Sequence, residues 1–246
     1  MTALAGPVIA KPKKEATAPA QPPATTQLPP GALPLPTRDE RLPEGYQLLV
    51  RKLMVRGPAD TLGDGSFTNA EARFLAGQFD QATAAYGEFT QRFPRNLRVN
   101  QALERMLLIA DGTDFDREPL RIYARAEAMR HVGHPDSAEV VLTEGLARYP
   151  GARLRWHYRL ALAELARDRG DHAGAIVQAL AVADTSSGSR LAPAALKLAG
   201  DETLASGGPA TKASEYYQAL LERYPDSPLA PSVRAQLLLL RKKMQL

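Results

Sequence analysis

The sequence predicts an all-α chain, a rod of stacked antiparallel helix pairs rather than a compact bundle. Three observations carry this expectation. Alanine and leucine supply most of a 44% apolar composition with only 6% aromatics, and both lose little side-chain entropy in a helix. Long β-branched runs of period two, which would announce strands, are absent. Three helix-patterned runs also end alike, in Arg-Phe-Pro at residues 92–94 and in Arg-Tyr-Pro at 148–150 and 223–225.

Residues 1–43 read as a disordered Pro/Ala-rich tail. Half of the chain's 20 prolines precede Glu44, and such a composition cannot offset its ordering entropy by burial. A tether and a ligand for a proline-binding groove both fit, and the Lys and Thr content suits a tether better. Residues 1–10, MTALAGPVIA, end on Val8-Ile9-Ala10, an acceptable cleavage end, without a basic region or an adequate apolar core before it. Two starts fit these residues. One is a plain cytoplasmic start; the other is a Met1 lying inside a longer signal peptide, with the protein then in the periplasm or cell envelope. Residues 44–66 read as a lead-in helix and loop, and 67–246 as a helical repeat domain.

Within that domain Gly77, Gly133 and Gly208 each stand 17 residues before a proline: Pro94, Pro150 and Pro225. Gly170 opens a fourth frame, with Ser187 in place of the proline. Five residues after each glycine comes an alanine (Ala82, Ala138, Ala175, Ala213), and six before it a glutamate (Glu71, Glu127, Glu164, Glu202). The pattern predicts helical hairpins. A first helix ends at the glycine, and a second runs to the proline, which stops it. The alanine sits where the two helices cross closely. First helices are expected at 69–76, 120–132, 154–169 and 191–205, and second helices at 81–93, 137–149, 173–183 and 212–224.

The skeleton Gly77/Ala82/Tyr86/Pro94, repeated as Gly208/Ala213/Tyr217/Pro225, resembles the tetratricopeptide repeat, a helix–turn–helix unit of 34 residues. Leu142 and Ala179 hold the aromatic position in the middle copies. The resemblance implies a right-handed α-solenoid. The closing run RYPDSPLA, residues 223–230, resembles bacterial cell-envelope members of that family. The glycine spacings are 56, 37 and 38 residues, and the long gap holds an extra helix over 97–110 and a loop over 111–119. The first unit is therefore expected to be offset from the later three. Residues 228–243 read as a solvating cap on the array, and the Leu237–Leu240 run is a candidate for membrane contact.

The net charge of +4 and pI near 9.4 are mild, with basic and acidic residues mixed except at Lys11, Lys13 and Lys14 and at Arg241, Lys242 and Lys243. No basic face with interleaved aromatics suggests a nucleic-acid partner. The absence of cysteine removes disulfides, thiolate metal sites and a cysteine nucleophile. No apolar run approaches the ~18 residues of a membrane span.

Asp60, Asp64, Gly65 and Glu71 fall at calcium-loop spacing, but Leu62 stands where an oxygen ligand is required. A capping box from Thr68 to Glu71 accounts for the same residues without metal. His131 and His134 are three apart, without the HExxH pattern of a zinc site. No nucleophile elbow, phosphate-cradling loop or triad is present. We therefore expect no enzyme, no cofactor and no metal.

The family resemblance places Glu71, Glu127, Glu164 and Glu202 on the concave face. One turn before them stand the apolar Phe67, Tyr123, Leu160 and Leu198. Such a surface suits an extended or helical protein segment carrying Lys or Arg. Arg130 and Arg167, three residues after Glu127 and Glu164, equally fit plain intrahelical pairing. The expected function is a protein-interaction scaffold, with a small-ligand or peptidoglycan-related binding factor as the alternative.

Overall fold

The structure, a computed structural model, describes residues 63–184 and 190–244. The tail, nearly all of the lead-in segment and Ser187 lie outside the described residues. Among those described, ten α-helices follow one another and no strand occurs. They are α1 (Asp64–Leu75), α2 (Phe79–Arg92), α3 (Val99–Asp111), α4 (Glu118–His131), α5 (Pro135–Arg148), α6 (Arg155–Asp168), α7 (His172–Ala183), α8 (Ala192–Ala205), α9 (Ala210–Arg223) and α10 (Ala230–Met244). Nearly every helix packs on the next in sequence, and α1 also touches α4. This serial packing is an α-solenoid.

The hairpin turns share one construction. Gly77, Gly133, Gly170 and Gly207 have φ between 72° and 85°, a left-handed conformation that costs a residue with a Cβ ~1–2 kcal/mol. Each glycine N–H returns to a carbonyl three residues back, and the next residue's N–H to the carbonyl five back, as in Gly77 to Phe74 and Gln78 to Arg73, both 2.9 Å. The orphan carbonyls of the first helix are satisfied this way. Ala82, Ala138, Ala175 and Ala213 are all fully buried, as close helix crossing requires.

One glycine corrects the sequence frame. The left-handed glycine of the last hairpin is Gly207, not Gly208. The last two glycine intervals are therefore equal, at 37 residues, and Gly208 is a one-residue insertion in the turn. The insertion has a reason. In the other turns the residue after the glycine both donates the closing bond and caps the second helix. In the last hairpin the cap is Pro209, which has no N–H to give, so Gly208 donates to Thr203 O at 2.9 Å.

The three aromatic-Pro endings are equally uniform. Phe93, Tyr149 and Tyr224 close α2, α5 and α9 with φ near −130° and ψ near 58°, outside the helical region that a following proline disfavours. The preceding arginine lies over each ring, Arg92, Arg148 and Arg223 at 5.3, 5.4 and 5.5 Å. Each ending then feeds two further turns into α3, α6 and α10, with bonds such as Asn96 N to Phe93 O and Val99 N to Asn96 O.

By its entry, then, α3 is built like the first helix of a hairpin. Arg98 stacks over Phe67 at 5.1 Å and Arg105 over Phe74 at 4.7 Å, so α3 runs beside α1 in the same direction. Yet α4 pairs through the Gly133 turn with α5, not with α3. One helix has been added before the regular units, and the first hairpin faces the opposite way along the rod. The connection into α4 holds Phe115, Asp116 and Arg117 at positive φ (47°, 56°, 63°), braced by Arg117 on Asp80 at 2.9 Å and by the Phe115 ring against Tyr149.

Helix α1 starts a turn earlier than the capping box predicts. Gly63, at φ 88°, precedes it, and Thr68 Oγ1 donates to Asp64 O at 2.8 Å from inside the helix. Asp64 and Gly65 are thus helical rather than parts of a calcium loop. His131 sits at the end of α4 with Nδ1 3.0 Å from Glu127 O, and His134 at the cap of α5.

Candidate functional site

The helices α1, α4, α6 and α8 and the inserted α3 enclose a groove of about 610 Å³. Its apolar wall is formed by Phe67, Leu107, Tyr123 and Leu160. Its polar groups are Gln101, Glu104, Arg105, His157, Glu164 and Arg190. Phe67, Tyr123, Leu160 and Glu164 thus come together here, each from the first helix of its hairpin, with Leu160 and Glu164 one turn apart on the same face of α6.

Behind the groove runs a chain of alternating charges. Arg105 of α3 reaches Glu71 of α1 at 3.1 Å and Glu127 of α4 at 3.1 Å. Arg130 of α4 continues it to Glu127 (3.2 Å), to Glu164 of α6 (3.1 Å) and to Asp168 (3.4 Å). The Tyr86 hydroxyl of α2 donates to Glu71. Burial alone would lower the Arg105 pKa, but the Glu71 and Glu127 charges outweigh it and hold it well above the ordinary arginine value. Burial likewise pushes Glu127 up, and Arg105 and then Arg130 more than reverse this, leaving its carboxyl below the usual range. Burial, then the Glu127 charge, pushes the Tyr123 phenol well up.

The glutamates therefore divide. Glu71 and Glu127 are structural counter-charges for Arg105, and Glu164, about one-third exposed, reaches the groove while also pairing with Arg130. Intrahelical pairing of Glu127 with Arg130 is present as well, whereas Arg167 pairs with Asp168 at 2.9 Å rather than with Glu164. Glu202 lies elsewhere, 4% exposed and 2.7 Å from His172 Nδ1 of α7. Leu198 is packed in the core of the last two hairpins. Both displacements follow from the Gly208 insertion. Counted from Gly207, the residues equivalent to Leu160 and Glu164 are Lys197 and Asp201. Asp201 accepts from the Tyr217 hydroxyl at 2.7 Å, as Glu71 does from Tyr86, and pairs with Lys197 at 2.5 Å.

Several lining residues lie outside the repeat frame from which the site was read. Glu104 and Leu107 belong to the inserted α3, and Arg190, bonded to Asp111, precedes α8. No periodic signal points to α3 as a groove wall, although Leu103 and Leu107, 45% and 46% exposed, are apolar residues its packing does not use. His157 is the other surprise. Burial lowers its pKa to about 4 against the opposing charge of Asp111. The ring is therefore neutral, edge-on to Tyr123 at 6.3 Å.

Among the described residues no group of His, Asp and Glu is placed to hold a metal ion. None of their helices is long and apolar enough to cross a membrane. The groove can bury apolar side chains against Phe67, Tyr123 and Leu160 while offering Glu104, which has no ion pair among the described residues, and the partly exposed Glu164 to cations.

No curated protein matches the chain. A family model for the tetratricopeptide repeat matches residues 194–227, which span nearly all of α8, the inserted-glycine turn, α9 and the Tyr224-Pro225 ending. Within that segment Gly200 lies against the Tyr217 ring so closely that a Cβ there would overlap it. Ala70, Ala126 and Ala163, all buried, hold the matching place in the other hairpins. The same glycine turn and crossing alanine recur in each hairpin, and the matched segment is similar to a tetratricopeptide repeat, a unit that points to protein–protein interaction.

Proposed function

We propose that the chain is a non-catalytic scaffold whose groove receives an extended or helical segment of another protein, apolar with one or two Lys or Arg residues. The observation that carries this reading is the juxtaposition of Phe67, Tyr123, Leu107 and Leu160 with the carboxylates Glu104 and Glu164 in one groove. Apolar anchors would supply the contact energy, and the carboxylates the orientation and charge preference. The Arg-Tyr-Pro-Asp-Ser turn at residues 223–227 supports a place in a bacterial envelope assembly.

Selection from a displayed peptide library tests the reading. Wild-type protein should enrich sequences pairing aromatic or aliphatic residues with Lys or Arg. Glu104→Lys/Glu164→Lys should abolish that enrichment while leaving the helix content intact. Enrichment indifferent to these charges, or none at all, would remove the groove as a peptide site.

A second reading rests on the groove volume, about 610 Å³, which also falls in the range of small-ligand pockets. A ligand-binding factor should show saturable thermal stabilisation by a small molecule that Leu160→Trp suppresses, and no peptide enrichment.

A further inference from the structure

The last helix carries a surface that neither the core nor the groove uses. On its inner side α10 buries Val233, Leu237 and Leu240 against α9 and the core of the last hairpins. The Leu237–Leu240 run is therefore split by the helical period. Leu237 and Leu240 point inward, while Leu238 and Leu239 point out, 58% and 60% exposed. This outward pair is bracketed by cations. Arg234 stands one turn before Leu238, Arg241 and Lys242 one turn after it, and Lys242 and Lys243 one turn after Leu239. All four basic residues are exposed, the helix contains no Asp or Glu, and no ion pair among the described residues engages them. Elsewhere in the rod several cations are neutralised. Arg105, Arg117, Arg121, Arg130, Arg169 and Arg190 all have carboxylate partners.

A cap that served only to solvate the end of the array would have no use for two adjacent exposed leucines. Two leucines alone would invite self-association. Flanked by four unmatched cations, they form instead a short interfacial device. Leucine side chains can enter the headgroup–acyl boundary while Lys and Arg extend their stems to the phosphates. We propose that the outward face of α10 docks the protein on an anionic lipid surface.

The charge pattern selects this occupant over a second copy of the chain. A two-fold pairing of this face would set four cations against four. It also fits a lipid surface better than an acidic protein groove, because two projecting leucines present little area for a shape-matched interface, whereas a fluid surface needs no matching shape.

Vesicle flotation with the full chain decides it. Phosphatidylcholine vesicles containing one-third phosphatidylglycerol should carry the protein at low salt, and vesicles of phosphatidylcholine alone should carry roughly tenfold less, with the difference shrinking as salt rises. Leu238→Ser/Leu239→Ser and Arg241→Glu/Lys242→Glu/Lys243→Glu should each cut recovery several-fold, with unchanged helix content and urea midpoint. A Lys11→Gln/Lys13→Gln/Lys14→Gln variant should float like wild type. Failure of wild type to float, equal recovery on neutral vesicles, or recovery indifferent to both α10 variants would overturn the proposal. So would a dimer in sedimentation that Leu238→Ser/Leu239→Ser dissociates, since that outcome assigns the face to a second copy.

Discussion

Arg105 is the side chain on which the first half of the rod turns. Its guanidinium lies between carboxylates of two helices and over the Phe74 ring, with the three charged side chains only 11–19% exposed. Removing one member of such a cluster leaves the others buried and unmatched, which costs ~3–5 kcal/mol. Arg105→Met should lower the urea-unfolding free energy by about that amount. Glu127 adds a pH dependence. Its folded pKa lies below the ordinary carboxylate value of 4.5, so its contribution is present above that value and is lost as pH falls through the lower folded pKa. His157 acts in the same sense at higher pH. It is neutral when folded, with a pKa of about 4 against an ordinary 6.5. The unfolded chain therefore takes up its proton first, and stability declines from about pH 6.5 down to about pH 4, by up to about 3 kcal/mol. His157→Phe should flatten that part of a stability–pH curve measured by urea unfolding. A slope unchanged by the substitution would show that the imidazole titrates normally in the fold.

At the scale of the helical hairpin, one inserted residue determines which side chains reach the groove. Deleting Gly208 would put Pro209 where an N–H must close the turn, and the Thr203 carbonyl would lose the bond it now receives at 2.9 Å. The deletion should cost ~1–2 kcal/mol, and combining it with Pro209→Asp should recover most of the loss, as read from thermal unfolding. The same residue marks the limit of what the sequence made legible. Helix pairs, crossing alanines and proline stops could be read because each answers to local chemistry: a left-handed turn, a close approach, a missing donor. Two adjacent glycines offered two frames, and only the backbone conformation distinguishes them, so Leu198 and Glu202 fell one residue from Lys197 and Asp201. Equal intervals of 37 residues were a clue in favour of Gly207. The part of α3 in the groove was less accessible, since an amphipathic helix reveals which face is apolar but not which neighbours it meets. The charge chain through Arg105 joins residues 22 and 34 positions apart, beyond the reach of local periodicity.

Across the whole molecule, stability is distributed along the rod. One core joins α1 through α6 and a second joins α6 through α10, and α10 rests chiefly on α9. Truncation before residue 229 would strip Val233, Leu237 and Leu240 from the second core and leave α9 without a cover. We expect a lower melting temperature and early loss of amide protection in α8 and α9, while α4 and α5 stay protected, as hydrogen exchange would report. Collapse of all helices together would indicate one cooperative block instead.

The reversal of the first hairpin bears on how this rod could be lengthened. From Gly133 onward one period repeats twice at 37 residues, through Gly170 to Gly207, with the same turn at each step. A duplicate of residues 134–170 spliced after Gly170 would keep every later helix pointing as before and extend the curved face by one unit. A lone helix spliced at the same place would turn everything downstream end for end, as α3 does at the start, so growth is modular only in whole pairs and only beyond the fourth helix.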